Sequence, residues 1–218
     1  VSLTDANFGI FPERDSLIAD KLIEVQKTYN NPKAYTISWA KNQKREVVEI
    51  VRKLIYEGGS KLGLNLSVQT MDENVLDIIK RKNLDTNKIE EVFELCEQYN
   101  IPLYTELILG LPGETLTSWK NNFYRLYEAG NHTGITIYQA QLLENAEMNL
   151  SQRKMYKMEG RVVYDYLVGT YNEHELKEGV EVVISTRDLP IEKMTQAQVF
   201  SWFMNTFHIN GITNYISR

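Results

Sequence analysis

The chain has 218 residues and a formal net charge of -5, and 43% of its residues are hydrophobic, which is enough to bury one sizeable core. The excess of carboxylates argues against a phosphate-neutralising surface, so nucleic acid is not an expected partner. The single cysteine, Cys96, excludes an internal disulfide framework, a zinc ribbon and any iron–sulfur cluster held by three thiolates of this chain.

The N-terminus has neither a basic region nor an apolar signal segment, and no apolar run approaches the roughly 18 residues of a membrane span. A cytoplasmic protein without a membrane partner is therefore the expectation. The chain opens on Val1 and enters a predicted strand almost at once. We therefore expect it to be cut from a longer polypeptide, although removal of an initiator methionine would look the same.

Strand-like segments alternate with amphipathic helical segments along most of the chain. The spacing of apolar residues predicts helices within 15–29, 47–55, 75–79, 89–96 and 119–126, and strands at 3–8, 34–39, 62–69, 103–109 and 133–140. Gly58-Gly59 can end the second helix, and the candidate caps of later helices are Asp72, Thr86 and either Thr115 or Thr117.

This alternation is typical of repeated βα units, whose right-handed crossovers produce a parallel sheet. Beyond Asn149 the rhythm changes to β segments at 161–168 and 180–185 and a helix at 194–207. We therefore predict an α/β fold, in which residues 1–149 form a partial TIM-like (β/α) barrel of parallel strands and residues 150–218 form a small α+β C-terminal appendage.

The strand at 62–69 alternates between leucine or valine and a small or polar residue, which includes Asn65, Ser67 and Gln69. Tyr104 and Glu106 repeat this pattern on the next strand. Only one face of such strands can meet helices, so the polar face is predicted to line a barrel lumen with a polar cavity at the strand C-termini. An edge strand with a solvated face is the alternative.

Nothing in the sequence predicts a reaction driven by side chains alone. The three histidines are not at metal-ligand spacing, no Gly-x-Ser-x-Gly elbow occurs, and Cys96 lies on the apolar stripe of a helix. The segment 110–115 lacks the Gly-Lys-Ser/Thr ending of a phosphate loop. This pattern is typical of a site in which a cofactor performs the chemistry and the protein positions it.

Several segments resemble a known family. Residues 67–76, continued by 79–83, and residues 103–115 resemble the fourth and fifth strand regions of radical S-adenosylmethionine enzymes. Residues 5–9 resemble the end of the second strand in the branch that often carries a cobalamin-binding domain, and residues 142–149 resemble the segment after the sixth strand. The resemblance covers roughly residues 3–150 and implies that strands two to six of the family's barrel are present.

The chain departs from this family at one point that matters for chemistry. Members hold a 4Fe–4S cluster with a Cys-x-x-x-Cys-x-x-Cys loop after the first strand, and that loop and strand are absent from this sequence. The resemblance therefore implies the C-terminal part of a larger enzyme. Such a part could not by itself bind the cluster or cleave S-adenosylmethionine reductively.

The resemblance also implies positions that contact S-adenosylmethionine. Ser67 and Gln69 match the polar positions that meet its ribose or methionine part. Leu109 and Gly110 match the segment whose backbone approaches the adenine, where glycine permits close contact.

Two further pairs of residues match family positions. Tyr138 and Gln139 match the sixth-strand position that packs on or bonds to adenine. Asp5 and Asn7 stand where relatives offer polar groups to the amino or carboxylate end of S-adenosylmethionine, although the usual Gly-Gly-Glu is missing.

A substrate cavity is predicted from the residues themselves. Glu106, a carboxylate inside a barrel, needs a cationic or hydrogen-bonding partner, which is either a ligand ammonium or a protein group such as Lys41. Ser38, Trp39 and Lys41, at the end of a strand, are candidates to line the cavity. Trp39 is a candidate for core packing as well as for stacking on a substrate.

The resemblance implies that the parent protein is a radical S-adenosylmethionine iron–sulfur enzyme, of the Fe–S oxidoreductase or cobalamin-dependent methyltransferase type. It would generate a 5′-deoxyadenosyl radical or transfer a methyl group. Its cofactors would be S-adenosylmethionine, a 4Fe–4S cluster and, in one branch, cobalamin, and its partners a reductant protein and a small-molecule or peptide substrate. No catalytic side chain and no metal ligand is identified in this chain, and no cofactor is expected to bind it alone.

Two other functions stay open. One is a cluster-free module that binds a nucleotide or a protein partner. The other is a barrel lyase that uses Glu106 and Lys41 as acid and base.

Two surface features are expected at the ends of the chain. The aromatic residues Trp202, Phe203, Phe207 and Tyr215 either cap the barrel mouth and select the substrate or form a packing face. The strand at 3–8 is expected to have an exposed edge, which predicts self-association or covering of that edge.

Overall fold

The computed structural model of the chain describes residues 1–40, 45–61, 63–82, 86–164, 179–210 and 212–213. The strands are β1 (Ser2–Phe8), β2 (Thr36–Trp39), β3 (Leu64–Gln69), β4 (Leu103–Leu109), β5 (Gly134–Gln139), β6 (Glu159–Tyr164) and β7 (Gly179–Ser185). The helices are α1 (Pro12–Tyr29), α2 (Arg45–Tyr56), α3 (Glu73–Ile78), α4 (Thr86–Gln98), α5 (Leu116–Glu128), α6 (Arg153–Met155) and α7 (Ile191–Phe203). Two π-helical turns cover Met148–Gln152 and Met204–Ile209.

The helix ends follow from local side-chain chemistry. Asp72 accepts a hydrogen bond from the Val75 N–H at 3.0 Å and so caps α3, as predicted. Of the two candidate threonines before α5, Thr115 is the cap, since its hydroxyl oxygen accepts the Ser118 N–H at 3.0 Å. The predicted left-handed glycine after α2 is Gly59, which has a φ of +69°.

The strands form three separate sheets in the described part of the chain. β1 and β2 are parallel neighbours, β3, β4 and β5 form a second sheet in that order, and β6 and β7 form an antiparallel hairpin. The α/β class with parallel pairing is therefore confirmed. The described strands do not join into one continuous or closed sheet.

The chain divides into two compact units. The first comprises Val1–Val68, Asn83–Glu106 and Arg125–Thr136, and the second comprises Gln69–Lys82, Leu107–Tyr124 and Ile137–Arg218. The division into residues 1–149 and 150–218 stays a prediction.

The first unit has an apolar core between its parallel strand pair and helices α1 and α2. α2 buries five of its apolar side chains, Val47, Val48, Ile50, Val51 and Leu54, which form one continuous stripe, whereas Ile55 is half-buried. Phe8 and Leu54 are almost completely buried in this core, and Trp39 meets the Phe8 ring edge to face at 5.7 Å. Each such side chain stabilises the fold by about 1.5–3 kcal/mol through removal of apolar surface from water.

The second unit has its core around the first half of α5. Trp119 and Phe123 are fully buried and contact each other edge to face at 5.6 Å. The indole Nε1–H of Trp119 donates to the Ser201 hydroxyl at 2.9 Å, and Phe200 meets Phe123 at 5.3 Å. Helix α7 is therefore held against α5 by both apolar contact and a buried hydrogen bond.

The observed element boundaries differ from the predicted ones at several ends. The helix expected at 194–207 begins three residues earlier, directly after Pro190, and changes to a π-helical turn after Phe203. The strand expected at 161–168 begins at Glu159, because the hairpin register with β7 extends to that residue. Residues 165–168 and Leu62, the first residue of another predicted strand, lie outside the described residues.

The predicted strand at 34–39 also starts later than expected. β2 begins only at Thr36, and the preceding Tyr35 is buried, with its hydroxyl donating to the Leu22 carbonyl at 3.3 Å. None of the helices in the described ranges is long and apolar enough to cross a membrane.

Candidate functional site

A carboxylate with two polar neighbours lies on the paired strands β3 and β4 of the first unit. The Asn65 side-chain amide donates to Glu106 Oε1 at 2.8 Å, and the Ser67 hydroxyl donates to Glu106 Oε2. All three side chains are half-buried and alternate with fully buried neighbours along their strands. The prediction from the sequence pattern that these three residues share one face is therefore correct. The partners of the Glu106 carboxylate are side chains of the neighbouring strand.

We call Asn65, Ser67 and Glu106 the Glu106 cluster. Its charge and the free acceptor sites of its carboxylate decide which ligand groups it can bind. Both donors are neutral, so the cluster keeps the negative charge of its carboxylate. A carboxylate has about four lone-pair sites, so each Glu106 oxygen can accept a further hydrogen bond. The cluster is therefore suited to a ligand that offers hydroxyl or ammonium donors.

A cavity of about 150 Å³ lies in the same unit. Its walls are mainly apolar and aromatic, and its polar atoms come from a few side chains; the lining residues are Tyr35, Ile37, Trp39, Val51, Leu54, Ser60, Gly63, Asn65 and Tyr104. Asn65 belongs both to this lining and to the Glu106 cluster. A cavity of this size holds a group roughly as large as a benzene ring.

The predicted substrate-cavity residues of β2 have different surroundings. Trp39 packs on Phe8, as predicted for a core residue, and also lines the cavity. Ser38 is exposed and is not among the lining residues, because alternate residues of β2 face opposite sides. Lys41 lies outside the described residues.

Asp5, one of the predicted cofactor-binding residues, forms an ion pair within its own chain. Its carboxylate forms an ion pair with the Arg14 guanidinium at 2.8 Å and accepts the Asn7 N–H at 2.9 Å. The Asn7 N–H, and with it the charge of Arg14, lowers the pKa of Asp5. The Asn7 side chain is exposed.

Asp15 is a buried carboxylate that sequence reasoning did not single out. It is completely buried, and one of its oxygens accepts the Gly9 N–H at 2.7 Å and the Phe11 N–H at 3.3 Å. Its other oxygen is bound by Arg14 at 2.6 Å. Asp15 therefore fixes the turn that follows β1 and connects it to the Arg14–Asp5 ion pair.

Gly110 follows directly after β4, in the second unit, and has a left-handed backbone, with φ at +93°. A Cβ added there would lie 3.1 Å from Met194 Cε and 3.2 Å from the Gln139 amide nitrogen. The glycine therefore permits a close approach by side chains of this chain itself.

Gln139 at the end of β5 is held by the C-terminal elements. Its amide nitrogen donates to the Val183 carbonyl at 2.6 Å, and its amide oxygen accepts from Gln198 at 3.2 Å. Tyr138, the preceding residue, is 38% exposed. The structure thus brings Gln139 and Gly110 together, and it adds the residues Val183, Met194 and Gln198, for which the sequence contained no motif.

Leu109 and Gln69, the remaining predicted positions at strand ends, are notable for their backbone and not for exposed side chains. Leu109 is fully buried, and its carbonyl accepts the Ala140 N–H at 2.8 Å. Gln69 is half-buried and has a left-handed φ of +63°, which is uncommon for a residue other than glycine.

Glu114 is the most deeply buried ionisable side chain of this region, with no exposed surface. Its Oε2 accepts the Gly110 N–H at 2.8 Å. Burial, and to a smaller extent the charge of Asp72, raises the pKa of Glu114 to about 8. The N–H groups of Gly110 and Leu111 and the Asn122 amide act against this rise. Sequence reasoning missed Glu114; the available signal was an acidic residue between a Gly-Leu-Pro-Gly turn and a helix.

The residues of this chain do not fit an iron–sulfur cluster. Cys96 is the one cysteine of the sequence, and it is buried on α4, where burial raises the pKa of its thiol to about 12. The prediction that this thiol is buried is confirmed. Among the described residues, no group of three or more His, Cys, Asp or Glu side chains could hold a metal ion.

Comparison with known proteins gives two curated relatives over nearly the whole chain, whereas no family model matches. The chain is 32% identical over 216 residues to the cobalamin-dependent radical SAM methyltransferase TokK of Streptomyces tokunonensis, covering 99% of this chain and 31% of that protein. It is also 32% identical to a 2-(S-pantetheinyl)-carbapenam-3-carboxylate methyltransferase of Streptantibioticus cattleyicolor, covering 98% of this chain and 31% of that protein. The chain thus spans about 31% of the length of these relatives.

Solved structures show the same fold. The radical S-adenosylmethionine methyltransferase TsrM of Kitasatospora setae, with tryptophan and an S-adenosylmethionine analogue bound, matches with a TM-score of 0.61 at 13% identity over 92% of this chain and 42% of that one. The form of TsrM with cobalamin and a [4Fe-4S] cluster bound matches with a TM-score of 0.61 at 12% identity over 95% of this chain and 43% of that one.

These similarities define the class of protein: the chain belongs to the radical S-adenosylmethionine superfamily, as the motifs in its sequence indicated. Within that superfamily, its homologues are cobalamin-dependent methyltransferases.

Proposed function

We propose that this chain is the part of a cobalamin-dependent radical S-adenosylmethionine methyltransferase that orients S-adenosylmethionine and the substrate. The observation that carries this proposal is the 32% identity to TokK over 99% of the chain. The finer architecture is part of the proposal: β1 to β5 are strands of a partial TIM-like barrel, and the elements after Gln139 form the appendage.

Each of the two units, taken by itself, carries groups of the kind that bind parts of S-adenosylmethionine. In the first unit, the Glu106 cluster offers a carboxylate and polar side chains of the kind that bind ribose hydroxyls or an ammonium group. In the second unit, the exposed ring of Tyr138 is suited to packing on a purine, and Gln69 and Gly110 offer polar groups at strand ends.

This chain's residues supply positioning and the exclusion of water. When bound, cobalamin and the cluster supply the methyl carrier and the electron transfer that no side chain provides. The cluster ligands are not in this sequence, so the residues of this chain do not hold that group. A small-molecule or peptide substrate and a reductant protein are the proposed partners.

The proposal is tested by the binding of S-adenosylhomocysteine to the purified full-length gene product, measured by isothermal titration calorimetry. We expect Glu106→Gln to weaken binding about tenfold, because a charge-assisted acceptor is replaced by a neutral amide. The matched control is Glu49→Gln on α2, a similarly exposed carboxylate that is bound by Arg52 and Tyr99. Equal affinities of the two variants, or no binding by the wild-type full-length protein, would contradict the proposal.

A second candidate is a nucleotide-binding module without redox chemistry, and the observation that favours it is the single buried cysteine. The full-length gene product, purified without oxygen, decides between the two. Iron and sulfide near 4Fe–4S stoichiometry, together with methyl transfer from S-adenosylmethionine, support the methyltransferase. A reconstituted protein that holds no cluster but binds the nucleoside supports the module.

A further inference from the structure

Two strand ends in the second unit share an unusual backbone conformation. Gln69 at the end of β3 has φ of +63°, and Gly110 after β4 has φ of +93°. Left-handed backbone is easy for glycine and costly for glutamine, so it persists at Gln69 only where neighbouring contacts enforce it. The residues that follow each of these positions show what those contacts are.

Asn122 of α5 holds the segment directly after Gln69. Its side chain is only 1% exposed. Its Oδ1 accepts the Met71 N–H at 2.7 Å and the Thr70 hydroxyl at 3.2 Å. The Thr70 oxygen also accepts the Asp72 N–H at 3.2 Å, so the chain from Gln69 to the cap of α3 is bound at successive residues.

Glu114, just before α5, holds the other strand end. Its carboxylate accepts the Gly110 N–H at 2.8 Å with no exposure to solvent. The Asn122 amide faces the same carboxyl and favours its charged form. One short stretch of chain, from Glu114 to Asn122, therefore binds both strand ends by buried side chains.

We propose that Asn122 and Glu114 are positioning residues that keep Gln69 and Gly110 in the left-handed conformation in which they meet the nucleoside of S-adenosylmethionine. The inference rests on the proposed function, and it adds residues that do not themselves touch the ligand. It assigns Glu114 and Asn122 a role in affinity beyond their contribution to folding.

The proton state of Glu114 gives this role a distinctive signature. The charged group that faces it is Asp72 at the start of α3, and its other neighbours are the N–H groups of Gly110 and Leu111 and the amide of Asn122. All of these neighbours except Asp72 bond better to a carboxylate than to a carboxylic acid. Nucleoside affinity should therefore rise as pH rises through neutrality, and Glu114→Gln should remove that dependence.

The first measurement is amide hydrogen exchange in the full-length protein without ligand. Asn122→Ala should speed exchange at the Met71 amide about fivefold to tenfold, because a buried acceptor is lost. The matched control is Asn131→Ala, since Asn131 is also 1% exposed and donates to the Thr105 hydroxyl at 2.7 Å in the other unit. Unchanged exchange at Met71 in Asn122→Ala would overturn the inference.

The second measurement is affinity for 5′-methylthioadenosine, which carries the adenine and ribose but no group that titrates between about pH 6 and 9. We expect Asn122→Ala to bind about tenfold more weakly than the wild type, and Asn131→Ala to bind equally well although it is also less stable. The wild type should bind more tightly at the upper end of this pH range, and Glu114→Gln should show a flat profile.

The outcomes separate this inference from the proposed function. If the wild type binds the nucleoside and Asn122→Ala binds as tightly as Asn131→Ala, the positioning role is wrong and the proposed function stands. If the profile of the wild type is as flat as that of Glu114→Gln, the role of Glu114 is wrong. If the wild-type full-length protein binds neither 5′-methylthioadenosine nor S-adenosylhomocysteine, the proposed function fails and this inference fails with it.

Discussion

Glu106 and Glu114 are two carboxylates close together in sequence whose surroundings differ in almost every respect. Glu106 lies on a strand of the first unit, is half-buried and accepts hydrogen bonds from the side chains of Asn65 and Ser67. Glu114 lies after a turn of the second unit, is fully buried and accepts a backbone N–H. The first keeps surface for a ligand, whereas the second can act only on its own chain. Environment, and not residue type, produces this difference, on which the two proposed roles rest.

The largest expected effect is on folding stability. Glu114→Ala leaves the Gly110 N–H without its acceptor and opens a void, so it should lower the free energy of unfolding by about 3 kcal/mol. Glu106→Ala should cost less than about 1 kcal/mol, because water can reach Asn65 and Ser67. Urea denaturation of both variants at neutral pH measures the difference. Equal losses would break the contrast between the two carboxylates.

The next effect is a pH dependence that only Glu114 should cause. Its pKa is raised from 4.5 to about 8 in the folded chain. Between these values the folded state binds more protons than the unfolded state, so the free energy of unfolding should fall as pH rises, by up to about 1.4 kcal/mol per pH unit. This stabilisation is complete below about pH 4.5 and is lost as the pH rises through about 8.

Urea denaturation at a series of pH values measures this slope. Glu114→Gln should reduce it, and Glu106→Gln should leave it unchanged. A slope that survives in Glu114→Gln would mean that Glu114 is ionised in the folded chain at neutral pH. Because the ionised form is the one proposed to favour the nucleoside, stability and affinity should change in opposite directions with pH.

The smallest expected effect is the difference in stability between alanine variants of two glycines, Gly110 at a strand end of the second unit and Gly134 in a strand of the first. Gly110→Ala must adopt φ of +93° and approach Met194 and Gln139, so it should cost about 1–2 kcal/mol. At Gly134 the nearest atom to an added Cβ is Tyr104 Cδ1 at 3.7 Å, so Gly134→Ala should be neutral or slightly stabilising. Thermal unfolding of the two variants checks this, and equal melting temperatures would contradict it.

The strand faces could be predicted from sequence because a period of two is a local property. Leu64, Leu66 and Val68 are buried and Ser67 is half-buried, as the alternation in the sequence requires. The same reasoning placed Glu106 on the face of Ser67, and the structure confirms their contact. Cap chemistry is equally local, which is why Asp72 and Thr115 were recognised.

The partners of Gln139 could not be predicted in this way. Gln139 was expected to contact adenine, and in the structure Val183 and Gln198, far along the chain, hold its amide. The burial of Asp15 and Glu114 also could not be predicted from the sequence, because an acidic residue at the start of a helix is usually solvated. The predicted S-adenosylmethionine contacts as a set stay predictions.

The sequence by itself determined the α/β class, the order of strands and helices, the polar face of β3 and β4 and the superfamily, since each of these depends on local periodicity or on motifs of adjacent residues. Only the tertiary structure decided that the described strands form separate sheets. It also decided that residues of β7 and α7 bind the Gln139 amide, and that Glu114 and Asn122 bind two strand ends. The physical reason is that burial and hydrogen-bond partnership arise between residues that are distant in the sequence, and no local pattern encodes them.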